Sequence, residues 1–269
     1  MNLLEITSSA NPRFKDALQL RDARQRRRSG RFLVDGRREI SRALAAGLRA
    51  RMIFFEIGIA PASVFPPQQL HDTELIALSE PLLSRLGYGE RNEGCVAVFE
   101  TPARELASIH LPPNPLLVVL DQLEKPGNIG AVLRSADAAG VDAVILVDCY
   151  PDLFNPNTIR SSSGTVFSIS LAATNLATAH VWLEQQEIQV FALRVGGSRS
   201  LWDCDFRGPT ALLVGSESAG LGDRWSARQM QSTMIPMRGK ADSLNASVAS
   251  AVCFFEAVRQ RRSNPISSP

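Results

Sequence analysis

From Leu116 onward the sequence is a succession of short apolar runs separated by helix-like segments, and this pattern restricts the fold more than any other feature. LLVVLD (116–121), DAVILVD (142–148), VFSISL (166–171), QVFALRV (189–195), TALLVGSE (210–217) and TMIPM (233–237) are strand-sized. NIGAVLRSADAAG (128–140) and NLATAHVWLEQQ (175–186) between them have a helical pattern. Strands that are apolar on both faces belong in a sheet covered on both sides, so the expected fold is α/β with a mostly parallel sheet. LLVVL and AVILV fall far short of the roughly 20 residues of a membrane span. No transmembrane helix is expected.

The first hundred residues read as a smaller strand-and-helix alternation. Asn11-Pro12 has the chemistry of a helix start and Ser29-Gly30 that of a stop, which predicts one basic helix between them. RFLVDG (31–36) predicts a strand and turn. REISRALAAG (38–47) places Ile40, Ala43 and Leu44 on one helical face before Gly47. RMIFFE, ELIAL, PLLSRL and GCVAVFE complete the alternation near Glu100. Residues 101–115 hold four prolines and no sustained apolar period, so they are the expected linker. The expected domains are thus 1–100 and 116–263, followed by a disordered tail at 264–269.

The formal net charge of +2 is unevenly distributed: from Arg13 to Arg51 there are thirteen Lys or Arg against four Asp or Glu. Such clustering suits a phosphate-binding surface, with Arg26, Arg27, Arg28 and Arg37 as candidate nucleic-acid contacts, although charge runs are usually a solvated face. The four cysteines form no CxxC pair and the three histidines lack ligand spacing, so reduced thiols and no metal are expected. The N-terminus lacks the pattern of a secretory signal, and the expected location is the cytoplasm.

Three segments carry candidate chemistry. In DQLEKPGNIGAVLRSADAAG (121–140), a strand end and Pro-Gly turn lead into a helix, a place where backbone N–H groups can meet an anion. Gly127, Gly130 and Gly140 do not make GxGxxG, which argues against a dinucleotide-dependent oxidoreductase. Arg134 is flanked by small apolar residues, consistent with a functional guanidinium or a structural ion pair. In FNPNTIRSSSGTVF (154–167), Arg160 and three serines suit a phosphate or ribose, or the serines merely cap the next element. The third segment joins LLVGSESAGLG (212–222) to MIPMRGKADSLNASVASAVCFFEAVRQRR (234–262). Gly215, Gly220 and Gly222 let a ligand approach backbone, and Ser243 is a plausible N-cap of a long helix with Leu244, Asn245 and Ser247 in its first turn. Ile235, Met237 and Leu244 would form apolar walls. Ordinary capping of a core helix explains the same residues equally well.

Together NIGAVLRSADAAG, LLVGSESAGLG and IPMRGKADSLNASVA resemble the three motifs of the SpoU/TrmH branch of the SPOUT RNA methyltransferases. The likeness spans about 116–262. RFLVDGRREISRALAAG is similar to the small RNA-binding domain, like a ribosomal protein, that many members carry. The resemblance implies a trefoil-knotted catalytic domain, a homodimer whose catalytic centre is completed across the interface, and methyl transfer from S-adenosylmethionine to a ribose 2′-hydroxyl of rRNA or tRNA. By motif, Gly215, Ile235 and Leu244 match the positions that hold the methyl donor, with Met237 beside them as a further wall. Asn128, Arg134, Glu217, Ser243 and Asn245 match the polar active-site positions, and Arg160 becomes a candidate RNA phosphate contact.

A ribose hydroxyl is a poor nucleophile and needs a base or stabilisation of its developing oxyanion. Arg134 is nominated by the resemblance. A guanidinium stays protonated, so its expected role is to clamp a phosphate and stabilise the oxyanion while phosphate or water takes the proton. An RNA-binding assembly factor of the same fold without catalysis is the alternative.

Overall fold

The computed structural model describes residues 3–89, 93–149, 152–216, 218–226 and 230–262. In chain order the elements are β1 (Leu3–Ile6), α1 (Pro12–Gln19), α2 (Ala23–Ser29), β2 (Arg31–Asp35), α3 (Arg37–Ala45), β3 (Ala50–Glu56), β4 (Glu74–Leu78), α4 (Glu80–Leu86), β5 (Cys95–Glu100), β6 (Leu116–Asp121) and α5 (Pro126–Ala139). There follow β7 (Ala143–Val147), α6 (Pro156–Ser161), α7 (Thr165–Ser168), β8 (Leu171–Thr174), α8 (Leu176–Gln185), β9 (Gln189–Leu193), β10 (Arg199–Ser200), β11 (Thr210–Val214), β12 (Gln231–Met234) and α9 (Ala246–Arg262). Among the described residues no helix is long and apolar enough to cross a membrane.

The chain packs as two units, Met1–Ala103 with Asp152–Ser168, and Arg104–Pro151 with Ile169–Pro269. The expected linker at 101–115 is therefore divided, and its later part carries a single 3-10 turn at Leu106–Ser108 within the second unit. Residues 264–269 lie outside the described residues.

The first unit is a mixed sheet in the order β1-β4-β3-β5-β2. Its core gathers Phe14, Leu33, Phe54, Ile76 and Val98. The single basic helix expected over 12–29 is instead two. α1 stops near Leu20, and the Asp22 carboxylate accepts from the Gln25 N–H at 3.0 Å to cap α2. A side chain that satisfies an orphan N–H stabilises a new start by about 1 kcal/mol, enough to divide a short helix. The 152–168 segment completes this unit. Phe154 stacks on Phe32 with centroids 4.3 Å apart, and Phe167 lies 6.0 Å from the same ring. The strand expected at VFSISL forms only from Leu171. Residues 165–168 wind into α7 because the Thr165 and Phe167 N–H groups bond back to Ser162 and Gly164, turning Phe167 into the aromatic stack.

The second unit contains, among its described residues, a seven-stranded sheet in the order β10-β12-β9-β11-β6-β7-β8, every pair of it parallel. Both faces are buried, as the uninterrupted apolar runs require. Leu117, Val119, Ile145, Leu213 and Trp225 share one core, while Leu116, Val118 and Leu120 alternate to the other face. Helices α5 and α9 pack against each other, with Leu133 and Phe254 fully buried. The Arg261 guanidinium at the end of α9 donates to the carbonyls of Asn114, Pro115, Phe206 and Gly208 at 2.8–3.0 Å, fixing this helix to the turns that precede β6 and β11.

Candidate active site

At the carboxyl edge of a parallel sheet the connecting turns can open a crevice, the usual ligand site of such folds. Here the turns after β9, β11 and β12 surround a cavity of about 900 Å³, within the second unit. Its walls are rich in backbone. Gly215 follows β11 directly, and a Cβ there would fall on the Gly220 carbonyl and the Leu221 nitrogen. The turn closes through Ser216 N–H to Gly220 O at 3.2 Å and Gly220 N–H to Ser216 O at 3.0 Å. Gly220 and Gly222 take φ values of +62° and +52°, which favour glycine. The turn after β9 is seated just as closely. A Cβ on Gly197 would lie 2.6 Å from the Thr233 carbonyl carbon, and the Arg194 guanidinium donates to Gly222 O at 2.9 Å.

Eight residues nominated from sequence line this cavity: Gly215, Gly220, Gly222, Ile235, Met237, Ser243, Leu244 and Asn245. The expected cap at Ser243 is corrected. α9 begins at Ala246, and the Asn245 carboxamide oxygen accepts from the Ser247 N–H at 2.9 Å and its hydroxyl at 2.6 Å. An amide caps as well as a hydroxyl, so Asn245 takes the role expected of Ser243. The Asn245 Nδ2 group also donates to Asn128 Oδ1 at 3.2 Å, joining the start of α9 to the first turn of α5. Asn128 is thereby brought to the rim. Arg134 is not among the lining residues. It is exposed on α5, about 9 Å further along the helix axis than Asn128, and no ion pair joins it to a described residue. Glu217 lies outside the described residues.

The nominated RNA contacts divide. Arg27 and Arg28 are exposed in the last turn of α2, and Arg37 is exposed at the start of α3, donating to Glu93 O at 3.1 Å. Arg26 is a correction: its side chain is only 5% exposed, ion-paired with Asp152 and donating to the carbonyls of Leu20 and Arg21 at 2.7 and 2.8 Å. A guanidinium so enclosed has no face left for a phosphate. Arg160 is intermediate, paired with Asp35 at 2.9 Å and lying over the Tyr88 ring at 5.3 Å.

Sequence reasoning missed one wall, Leu193 to Gly196 after β9, along with Lys125 and Ser218. The Gly196-Gly197 pair directly after a buried strand was the available signal. All four cysteines are unbridged, and burial pushes the Cys95 and Cys253 thiols up to about 12 and that of Cys149 to about 11, so none is a ready nucleophile.

This architecture has well-defined relatives. Residues 115–255 match the SpoU rRNA Methylase family, and residues 11–97 match the MRM3-like substrate binding domain. A 23S rRNA (uridine(2479)-2′-O)-methyltransferase of Streptomyces viridochromogenes is 37% identical, over 94% of this chain and 92% of that protein. The crystal structure of the SpoU methyltransferase AviRb from the same organism, in complex with AdoMet, has a TM-score of 0.84 at 35% identity and covers 94% of this chain and 99% of that one. An AdoMet-bound rRNA methyltransferase of Sinorhizobium meliloti has a TM-score of 0.87 at 30% identity, covering 96% and 98%. With the catalytic motifs, the parallel sheet and the cavity all in the matched region, this chain belongs to the SpoU rRNA Methylase family.

Proposed function

We propose that this protein transfers a methyl group from S-adenosylmethionine to a ribose 2′-hydroxyl of rRNA. The observation that carries the reading is the backbone-lined cavity, in which the nominated donor positions Gly215, Ile235, Met237 and Leu244 converge from two turns. Its size is within the ~300–1,000 Å³ of small-molecule sites, and its mixture of main-chain groups and apolar side chains suits an adenosyl ligand with a polar tail. Bound S-adenosylmethionine supplies an activated methyl on a sulfonium centre. The chain contributes by fixing the donor against Gly215 to Gly222 and keeping water out, since an in-line displacement depends mainly on positioning.

Asn128, Ser243 and Asn245 provide polar groups at the acceptor side, and Glu217 is added to them by its motif alone. Arg134 clamps the RNA phosphate and stabilises the developing oxyanion while phosphate or water takes the proton. Arg134→Lys is then expected to bind S-adenosylmethionine normally yet lose about a hundredfold in single-turnover rate, because an ammonium cannot make the bidentate contact. Near-normal turnover would refute the clamp.

The functional molecule is a homodimer in this reading, with the knotted domains facing each other. Val248 and Phe255, 47% and 52% exposed, project from the same side of α9 two turns apart, and Arg134 is exposed and outside its own cavity. Sedimentation should give twice the chain mass; a monomer that methylates RNA at full rate would exclude it.

The exposed arginines of the first unit, Arg27, Arg28 and Arg37, hold the RNA, and nucleotide choice follows from RNA shape. The deciding experiment is ribose-methylation mapping of total RNA from cells with and without the protein, beside calorimetry with S-adenosylmethionine. One lost 2′-O-methyl site in rRNA supports the reading. A lost site in tRNA would redirect the substrate, and donor binding with no lost site would favour the assembly factor.

A further inference from the structure

Immediately beyond the donor turn the chain is anchored by Arg224 and Trp225, which lie outside the three family motifs. Leu221 and Trp225 enter the core on one face of the parallel sheet, 3% and 0% exposed. Between them, Arg224 forms an ion pair with Asp148, just after β7. The indole Nε1–H of Trp225 donates to Oδ2 of Asp121, the last residue of β6, at 2.9 Å. Asp121 is 1% exposed, and its other oxygen makes no hydrogen bond with a described residue, with the Arg224 guanidinium 3.6 Å away.

A buried carboxylate is tolerated only when its partners are in place, and here both partners come from the segment leaving the donor turn. If that segment shifts, Asp121 is stranded without the indole and the cation together. The turn therefore has one favoured position, set from its far end by Asp121 and from its near end by Gly215, just after β11. Burial raises the Asp121 carboxyl above its ordinary value, while the indole hydrogen bond and the Arg224 charge oppose that rise.

We propose that Asp121 is a positioning residue for methyl-donor binding: through Trp225 and Arg224 it holds the Gly215–Gly222 turn in its ligand-ready form without touching the donor. This rests on the reading of the cavity as the S-adenosylmethionine site.

The test is calorimetry with S-adenosylmethionine and steady-state methylation for the full-length wild type, Asp121→Asn, Trp225→Phe and the double variant. Asp121→Asn keeps the size and one acceptor but removes the charge. Each single variant is expected to weaken donor binding by about tenfold, raising the donor KM in step, with kcat at saturating donor within about threefold. The double variant is expected to be no worse than the poorer single one, because both break the same link. If Asp121→Asn does not fold, Arg224→Gln, which removes the partly exposed partner, is to give the same loss. Donor binding within twofold of wild type in the folded variants, strictly additive losses, or a fall in kcat at unchanged KM would each overturn the proposal. Wild-type protein that binds no S-adenosylmethionine would instead bring down the functional reading itself, and this inference with it.

Discussion

Gly215→Ala is expected to weaken S-adenosylmethionine binding by about a hundredfold while leaving the first unit folded. The added Cβ would overlap the Gly220 carbonyl and the Leu221 nitrogen, both of them backbone, so no side chain can swing aside. The turn itself must move, and it is a wall of the cavity. Forcing one carbon into a closed contact costs about 1–3 kcal/mol, and at about 1.4 kcal/mol per tenfold that spans the predicted loss. Gly222→Ala is the informative contrast. It has a φ of +52° but nothing within 4 Å of an added Cβ, so it should incur only the ~1–2 kcal/mol of left-handed backbone. Calorimetry and thermal unfolding on both variants check this. Wild-type affinity in Gly215→Ala would mean that the turn is not the donor wall.

Phe154→Ala is expected to destabilise the first unit by about 3–5 kcal/mol, although residue 154 follows the second unit's β7 in the chain. Phe154 is 4% exposed and stacked 4.3 Å from Phe32, itself fully buried in β2, and the neighbouring Asp152 is the partner of buried Arg26. Removing the ring leaves a cavity against β2 that the flat stack of Phe32 and Phe167 cannot fill by side-chain rotation. Hydrogen exchange should show lost protection over β2 and β5, with S-adenosylmethionine binding retained in the second unit. Lost protection confined to the β6–β7 region, with β2 intact, would contradict the assignment of 152–168 to the first unit.

These two cases separate the kinds of information the chain carries. Local pattern was a reliable guide to β2, β6, β7, β9 and β11, because an apolar run flanked by turn residues has few other uses. It misled where two local solutions compete within a few residues. Asp22 can interrupt a helix that Asn11-Pro12 begins, Asn245 can cap in place of Ser243, and the backbone N–H groups of Thr165 and Phe167, bonding back to Ser162 and Gly164, can wind a segment whose composition reads as a strand. Arg26 resembles its neighbours Arg27 and Arg28 in every sequence property, and only the arrival of Asp152, 126 positions later, makes it a buried structural cation.

The α/β class, the parallel sheet, the glycine-rich turns and the family membership were legible in the linear order of residues, since periodicity, capping chemistry and motif spacing are short-range properties. The meeting of Asn128 with Asn245 across 117 positions, the wall from Leu193 to Gly196, the inward turn of Arg26 and the grip of Asp121 on Trp225 were not. They depend on which strands become neighbours and which side chains close packing turns inward, and no local stretch of sequence contains that information.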